Sequence, residues 1–266
     1  MPSADLAALL SAPMFQPLPL SSIRSYLSSA PWHQIPGTFN FRGVSYPPFV
    51  KERFIYRSGM LSLLPENENK EIVNFLGVKA IFDLRSKGER EADPEPELDG
   101  AESIWAENGG DGEVEWRTLV KMYFSFLTTH RAIFREIFLH VLRNPNQPFL
   151  VHCTAGKDRT AVAISLLLSL AGVPQEAITH DYVLTRIGVE PVRDILLAKM
   201  TGEGEVDWDS EVMKIVAGCE ANAMVSFLEK LEKSFKGGAE GYVVNELGFS
   251  IEEVEDIRQN LRNDVL

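Results

Sequence analysis

One short stretch of the chain places a cysteine and an arginine at the two ends of a seven-residue loop. The stretch reads His152-Cys153-Thr154-Ala155-Gly156-Lys157-Asp158-Arg159-Thr160. A cysteine acts as a nucleophile in its thiolate form, which a helix N-terminus and cationic neighbours favour over the thiol. A guanidinium group grips two phosphoryl oxygens at once, and lysine lacks this planar fork. The pattern therefore predicts that Cys153 attacks a phosphorus atom whose oxygens Arg159 holds.

The residues between the cysteine and the arginine are suited to bind the phosphate. The backbone amides of residues 154–159 are expected to converge on its oxygens, helped by the dipole of the helix that follows. Gly156 lets the backbone bend sharply, and the Thr160 hydroxyl is expected to donate a hydrogen bond to the sulfur. His152 is expected to orient the loop rather than to act as a base. We therefore predict phosphate-binding roles for Thr154, Ala155, Gly156, Lys157 and Thr160.

The elements on either side of the loop must position it. A predicted strand at 148–152 leads into the loop, and an apolar run at 160–171 predicts a buried helix after it. Further strands are predicted at 54–57, 78–84 and 103–105. Helices are predicted at 20–29, 66–75, 114–143 (one bent helix or two), 175–187, 191–200, 209–217, 221–235 and 251–265. A capping box of Ser250 and Glu253 is predicted to begin the last of these helices. Strands that alternate with helices predict an α/β fold with a central, largely parallel sheet flanked by helices, and a helical C-terminal part. Ligands bind such sheets at the carboxyl ends of the strands, where this loop lies.

The chain length fits a single domain of this class. With 266 residues, of which 45% are hydrophobic, the chain is able to bury a full core. We predict one domain over 1–266, made of an N-terminal extension at 1–35, a catalytic core at 36–174 and a helical part at 175–266.

The net charge limits the partners of the chain. A formal net charge of −12 argues against nucleic-acid binding, which relies on clustered cations. A phosphate substrate would also approach a surface that repels it, so local cations must attract it. The candidates for this role are Arg159, Lys157, Arg85 and Arg42.

Cysteine usage and hydropathy bear on the compartment. Two cysteines are too few for a disulfide framework, and Cys219 fits a packing role in a helical pattern. No apolar run has the length of a membrane span. No Lys or Arg precedes Arg24, so a signal peptide is not expected. We therefore expect an enzyme of a reducing compartment, the cytoplasm.

Several motifs together resemble one family of phosphatases. The string from His152 to Thr160 is similar to the signature of the cysteine-dependent protein tyrosine phosphatase superfamily, and its Gly-Lys-Asp-Arg version resembles the atypical tyrosine phosphatase family of bacteria and fungi. Further motifs in the order of that family lie at 40–44, 56–61 and 81–86 before the loop, and at 180–182 and 241–250 after it. Residues 43–46 read Gly-Val-Ser-Tyr where related sequences usually carry Asp-Leu-Gly-Gly.

The resemblance implies a tyrosine-phosphatase-like fold and a reaction without a metal ion or another cofactor. Water would hydrolyse a phosphocysteine formed on Cys153, and the expected substrates are phosphotyrosine proteins, with phosphoserine and phosphothreonine proteins in addition. In this family the loop version with Lys157 accompanies activity on phosphoinositides, so a phosphoinositide or inositol phosphate phosphatase is the alternative. Lys157 would otherwise hold Asp158 in place. Family members also cover the site with a helical lid, which part of 175–217 is expected to supply.

A general acid must protonate the leaving group, and three aspartates are candidates. Asp158 lies within the loop, at the position that the resembled family uses for an acid. Asp83 ends a predicted strand just before Arg85, and Asp111 lies in a Gly-rich segment suited to close over the site. We rank them in that order. A salt bridge with Lys157 or Arg85 is the structural alternative for Asp158 and Asp83.

Two other classes of protein stay open at this point. A rhodanese-like sulfurtransferase also carries a loop cysteine before a helix, but His152 and Thr160 favour phosphoryl chemistry. A pseudoenzyme that only binds phosphorylated partners would have lost Cys153 or Arg159, and both are present.

Overall fold

A five-stranded sheet forms the centre of the fold in this computed structural model, which describes residues 4–65, 71–107, 118–201, 210, 213 and 217–262. The strands are β1 (Arg42–Tyr46), β2 (Val50–Ser58), β3 (Ala80–Asp83), β4 (Glu102–Trp105) and β5 (Phe149–His152). Their spatial order is β1-β2-β5-β3-β4. Strands β1 and β2 form an antiparallel hairpin, and all other neighbours are parallel. The predicted α/β class with a largely parallel sheet is confirmed.

Helices flank the sheet and make up the C-terminal part. In chain order they are α1 (Ala4–Ser11), α2 (Leu20–Leu27), α3 (Lys87–Ala92), α4 (Leu119–Thr129), α5 (Arg131–Arg143), α6 (Asp158–Ala171), α7 (Gln175–Gly188), α8 (Arg193–Thr201), α9 (Ala221–Ser234), α10 (Ala239–Asn245) and α11 (Ile251–Leu261), with a π-helical turn at Glu71–Phe75 and a 3-10 turn at Glu190–Val192. The apolar stretch 114–143 contains two helices that meet at His130. The predicted capping box of Ser250 and Glu253 begins α11. Within the described ranges, no helix is both long and apolar enough to cross a membrane.

Strand β5 is buried on both faces, as a parallel strand between helices must be. Phe149 and Val151 pack in the main core, which contains residues of α4, α5 and α6. Leu150 packs in a second cluster with Tyr56 and Ile81 of the neighbouring strands. This alternation follows the two-residue period of a strand. Because all four residues of β5 are buried, the strand is a rigid support for the loop that follows it.

The N-terminal segment packs on the helical part of the chain. Leu10 and Ile23 lie in one buried cluster with Leu184 and Ile187 of α7. Arg186 of α7 donates hydrogen bonds to the carbonyl oxygens of residues 12, 13 and 16, at 2.7, 3.1 and 2.6 Å. Helices α1, α3 and α10 and strand β1 are additions to the predicted elements. The predicted helix at 209–217 and the first half of the one at 66–75 lie mostly outside the described residues.

Candidate active site

The loop from Cys153 to Arg159 connects the buried end of β5 to the N-terminus of α6. Cys153 is 2% exposed. Gly156 has φ +63°, and a Cβ built there would lie 2.1 Å from the carbonyl oxygen of Ser58 on β2. A positive φ and so close a backbone both require glycine at this position. The structure thus brings the predicted loop residues together in the predicted strand-loop-helix setting.

Two side chains anchor the middle of the loop by donating hydrogen bonds to its carbonyl oxygens. The Asn40 side-chain amide donates to the carbonyl oxygens of Ala155 and Gly156, both at 3.0 Å. Arg57 Nη2 donates to the Gly156 oxygen at 2.8 Å. Because the C=O and N–H bonds of a trans peptide point in opposite directions, this anchoring directs the following N–H groups away from Asn40. That orientation suits an anion held inside the loop.

Asp181 of α7 in turn holds both arginines behind the loop. Its carboxylate is paired with Arg42, with Nε and Oδ1 3.1 Å apart, and with Nη1 of Arg57. Burial alone would raise the pKa of Asp181, but the charges of Arg57 and Arg42 outweigh it and lower this pKa. Burial, with the neighbouring charge of Arg57, lowers the pKa of Arg42 to about 10. Arg42 was a candidate cation for the phosphate; the structure instead places it in this buried ion pair.

Arg159 presents its guanidinium group to Glu89 of α3. Nη1 lies 2.6 Å from Oε2 and Nη2 lies 2.7 Å from Oε1, in a bidentate pair. Thr154 Oγ1 also donates to Glu89. Burial would raise the pKa of Glu89, but the hydrogen bonds and charge of Arg159 outweigh it and lower this pKa well below its ordinary range. The fork of Arg159 is therefore held in a fixed orientation beside Cys153.

Glu89 is a site residue that the sequence reasoning missed. It occupies the third position of α3, where it forms a capping box with Ser86. The Ser-x-x-Glu spacing at 86–89 was a signal for this helix start. No local pattern indicates that the same carboxylate also reaches Arg159, seventy residues further along the chain.

Asp83 and Arg85 form a buried ion pair with each other. Arg85 donates to both carboxylate oxygens of Asp83, with Nε–Oδ1 2.9 Å and Nη2–Oδ2 2.8 Å, and it also binds Glu95. Both side chains are fully buried. Burial opposes ionisation of Asp83, but His152 and Arg85 outweigh it and lower its pKa. The ion pair that was the structural alternative for Asp83 is thus present. Arg85, a candidate cation for the phosphate, is bound to Asp83 in this pair.

His152 lies below the loop between the loop backbone and this charged cluster. Its Nδ1 is 3.4 Å from the Cys153 carbonyl oxygen, and its Nε2 is 3.1 Å from Glu95 Oε1 and 3.8 Å from Asp83 Oδ1. Burial would lower the pKa of His152, but the carboxylates of Glu95 and Asp83 raise it above its ordinary value. The imidazole therefore contacts the backbone of the loop, and its orienting role stays a prediction. Arg85 pairs with both of these carboxylates in the same cluster.

The side chains of residues 157, 158 and 160 have distinct environments. Lys157 is buried; its Nζ donates to the Gly218 carbonyl oxygen at 2.7 Å and lies 3.6 Å from Asp158 Oδ1. The Asp158 side chain is 23% exposed and accepts a hydrogen bond from Tyr123 at 2.8 Å. The Thr160 hydroxyl is buried without a hydrogen-bond partner among the described residues, so its predicted bond to the sulfur is not formed here. Asp111, the third candidate acid, lies outside the described residues.

Cys219 has the environment of a packing residue. It is half-buried, and its Sγ lies 3.5 Å from the Tyr182 carbonyl oxygen, to which it donates. Burial raises the pKa of its thiol to about 11. The group therefore stays protonated near neutral pH.

The fold and the loop together define a class of protein. A largely parallel sheet whose central strand delivers a cysteine into a Cys-to-Arg loop, at the N-terminus of a buried helix, is the arrangement of the cysteine-dependent phosphatase superfamily. Comparison with known proteins specifies the family, because the profile of the tyrosine phosphatase family matches residues 33–263. The chain belongs to this tyrosine phosphatase family.

Individual relatives agree with the family match. The tyrosine-protein phosphatase of Nostoc commune is 30% identical over 146 residues, which cover 54% of this chain and 49% of the relative. The triple specificity protein phosphatase PtpB of Mycobacterium tuberculosis is 27% identical over 200 residues, which cover 60% of this chain and 71% of the relative. The chain thus spans about half the length of the Nostoc relative.

Proposed function

We propose that this chain is a cysteine-dependent phosphatase that hydrolyses phosphate monoesters through a phosphocysteine on Cys153. The observation that carries the proposal is the loop itself. Cys153 lies at the end of a rigid strand, Asn40 and Arg57 hold the loop carbonyls away from the anion site, and Arg159 lies at the start of α6. Names of the relatives support phosphate monoester chemistry.

The reaction takes two steps. In the first, Cys153 Sγ forms a bond to phosphorus, the bond from phosphorus to the leaving oxygen breaks, and Asp158 gives its proton to that oxygen. The loop amides and Arg159 stabilise the charge on the equatorial oxygens. In the second step, water attacks the phosphocysteine, Asp158 takes a proton from the water, and the sulfur leaves as the thiolate. Neither step requires a metal ion or another cofactor.

Asp158 is the acid that the geometry favours. Its side chain is partly exposed at the first turn of α6, close to the cysteine in the loop. Asp83 is fully buried and pairs with Arg85 and Arg90, so protonation would remove the negative charge between these two cations. An acid must reach the leaving oxygen within hydrogen-bond distance, and the buried Asp83 carboxylate is aimed at the arginines instead.

The substrate that fits best is a phosphotyrosine protein, with phosphoserine and phosphothreonine proteins as further substrates. A phosphoinositide with several phosphates needs cations beyond those that bind the reacting group. Lys157 was the candidate for this role, and it is buried in contacts with other groups of the protein, as are Arg42 and Arg85. Turnover of a phosphotyrosine peptide, a phosphoserine peptide and soluble inositol phosphates, compared at equal concentration, tests this preference. Faster turnover of the inositol phosphates would contradict it.

We further propose that α8 covers the loop as a lid. Ala155 of the loop lies in one buried cluster with Leu196 and Leu197 of α8. Lys199 Nζ donates to Asp93 Oδ2 at 2.6 Å, which ties α8 to the end of α3. Amide hydrogen exchange in α8 should slow when vanadate occupies the loop. Exchange that vanadate leaves unchanged would contradict a lid.

A thiolate nucleophile needs reducing conditions, so we propose the cytoplasm as the place of action.

Hydrolysis of an aryl phosphate in the presence of a chelator tests the activity. The Cys153→Ser variant should lose turnover and still bind inorganic phosphate, whereas Cys219→Ser should retain turnover. Sulfur transfer from thiosulfate without phosphatase activity would favour the sulfurtransferase, and phosphate binding without turnover by the unmodified protein would favour the pseudoenzyme.

A further inference from the structure

Two buried tyrosines form a hydrogen-bonded chain that ends on Asp158. Tyr123 of α4 donates through its hydroxyl to Asp158 Oδ1 at 2.8 Å. The hydroxyl oxygens of Tyr123 and Tyr182 of α7 are 2.7 Å apart. Both tyrosines are almost completely buried. A polar chain of this kind within a core fixes the geometry of the group at its end, since each member lacks water as an alternative partner.

The direction of the hydrogen bonds follows from the chemistry of the groups. Burial raises the pKa values of Tyr123 and Tyr182 well above their ordinary value, so both hydroxyls stay protonated. Each hydroxyl has one hydrogen to donate. Tyr123 gives its hydrogen to Asp158 Oδ1, so its oxygen is left to accept a hydrogen bond from the Tyr182 hydroxyl.

This arrangement distinguishes the two oxygens of the Asp158 carboxylate. Oδ1 accepts from Tyr123 and lies 3.6 Å from the Lys157 ammonium group. Both neighbours are donors, and both favour negative charge on Oδ1. The transferable proton therefore belongs on Oδ2.

The Tyr123 ring is itself held firmly. It packs edge-on against the rings of Tyr182 and Phe227, with centroids 6.1 and 6.0 Å away, and stacks on Phe126 of its own helix. The hydroxyl therefore has a fixed position relative to α6. A donor in a fixed position limits rotation of the carboxylate that it binds.

We propose that Tyr123 is the positioning residue of the general acid and that Tyr182 holds Tyr123 in place. The proposal rests on the proposed function, in which Asp158 protonates the leaving oxygen. Without the Tyr123 hydroxyl the carboxylate would turn toward Lys157, and Oδ2 would no longer face the substrate. Chemistry that needs no proton would be unaffected.

Leaving-group dependence separates such a role from a structural one. The value of kcat/KM reports the step in which the leaving group departs, and p-nitrophenolate departs without a proton far more readily than phenolate. The Tyr123→Phe variant should lose about tenfold in kcat/KM on phenyl phosphate, equivalent to about 1.4 kcal/mol, and little on p-nitrophenyl phosphate. Asp158→Asn should show the same selectivity with a larger loss on phenyl phosphate, on the order of a hundredfold.

Tyr242→Phe is the matched control. The Tyr242 hydroxyl is buried and donates to the carbonyl oxygen of Leu127, also on α4, at 2.6 Å, without contact to Asp158. Its removal costs a comparable hydrogen bond, so any loss of activity should be equal for the two substrates. Circular dichroism and thermal unfolding confirm that each variant is folded.

The outcomes distinguish the positioning role from the proposed function. Equal losses on both substrates in Tyr123→Phe, as in Tyr242→Phe, would overturn the positioning role. If Tyr123→Phe does not fold, Tyr182→Phe decides in its place: a selective loss on phenyl phosphate supports the chain, and an equal loss refutes it. Absence of selectivity in Asp158→Asn would instead refute Asp158 as the acid, while activity of Cys153→Ser would refute the proposed function.

Discussion

Substitution of Gly156 by alanine should displace the phosphate loop while every group with a proposed chemical role stays in the chain. The new Cβ would lie 2.1 Å from the Ser58 oxygen, and ordinary contact begins at 3.4 Å, so a shift of 3.4 − 2.1 = 1.3 Å is needed. Ser58 lies in β2, which is paired on both sides in the sheet, so the loop must move instead. A misplacement of about 1 Å costs about a hundredfold in rate. We expect at least that loss in kcat/KM on p-nitrophenyl phosphate.

Gly248→Ala is the control that separates the clash from the backbone strain. Gly248 has φ +74°, close to the +63° of Gly156, but nothing lies within 4 Å of its added Cβ. Both variants should lose about 1–2 kcal/mol of stability from the positive φ. Only Gly156→Ala should lose activity. If Gly156→Ala were as active as Gly248→Ala, the loop would not depend on this close approach and the reasoning would be refuted.

Three further predictions concern the groups around the loop. Asp181→Asn leaves two buried arginines unpaired and should lower the free energy of unfolding by about 3–5 kcal/mol, whereas Glu246→Gln removes an exposed pair and should cost about 1 kcal/mol or less. The lowered pKa values of Asp83 and Asp181 stabilise the fold above the ordinary value of 3.8, and this stabilisation should be lost as pH falls below it. Iodoacetamide at neutral pH should modify Cys153 and leave Cys219 unmodified, because burial raises the pKa of Cys219 to about 11.

Each of these predictions has a contradicting result. Equal stability of the Asp181→Asn and Glu246→Gln variants in urea unfolding would show that the buried pair is not needed. An acid unfolding curve of Asp181→Asn as steep as that of the unmodified protein would remove this carboxylate from the pH dependence. Peptide mapping that finds Cys219 alkylated first, or no protection of Cys153 by inorganic phosphate, would contradict the assignment of the two thiols.

The loop and its two flanking elements were predictable because their signals are local. The cysteine, glycine and arginine are close in sequence, and the apolar run into β5 and along α6 identifies a strand and a helix. The same holds for the start of α11, since Ser250 and Glu253 form their capping box within one turn. Local patterns of this kind depend only on backbone geometry and burial.

The support of the loop was not predictable, because it depends on contacts between distant segments. Asn40 binds Ala155 across 115 residues, and Glu89 binds Arg159 across 70. Charge alone indicated that Arg42 was available to a phosphate, yet the fold brings Asp181 next to it. Which cation meets which carboxylate is decided by the packing of α7 and α3 on the sheet, and a single sequence carries no local sign of that packing.

The central claim is that Cys153 carries the phosphoryl group. Rapid acid quench of the protein during turnover of an aryl phosphate, with a chelator present, followed by mass spectrometry of the peptides, tests it most directly. We predict a phosphate adduct on the peptide that contains Cys153 and none in the Cys153→Ser variant, which should also be inactive. Turnover that persists in Cys153→Ser, or an adduct on another residue, would contradict the account.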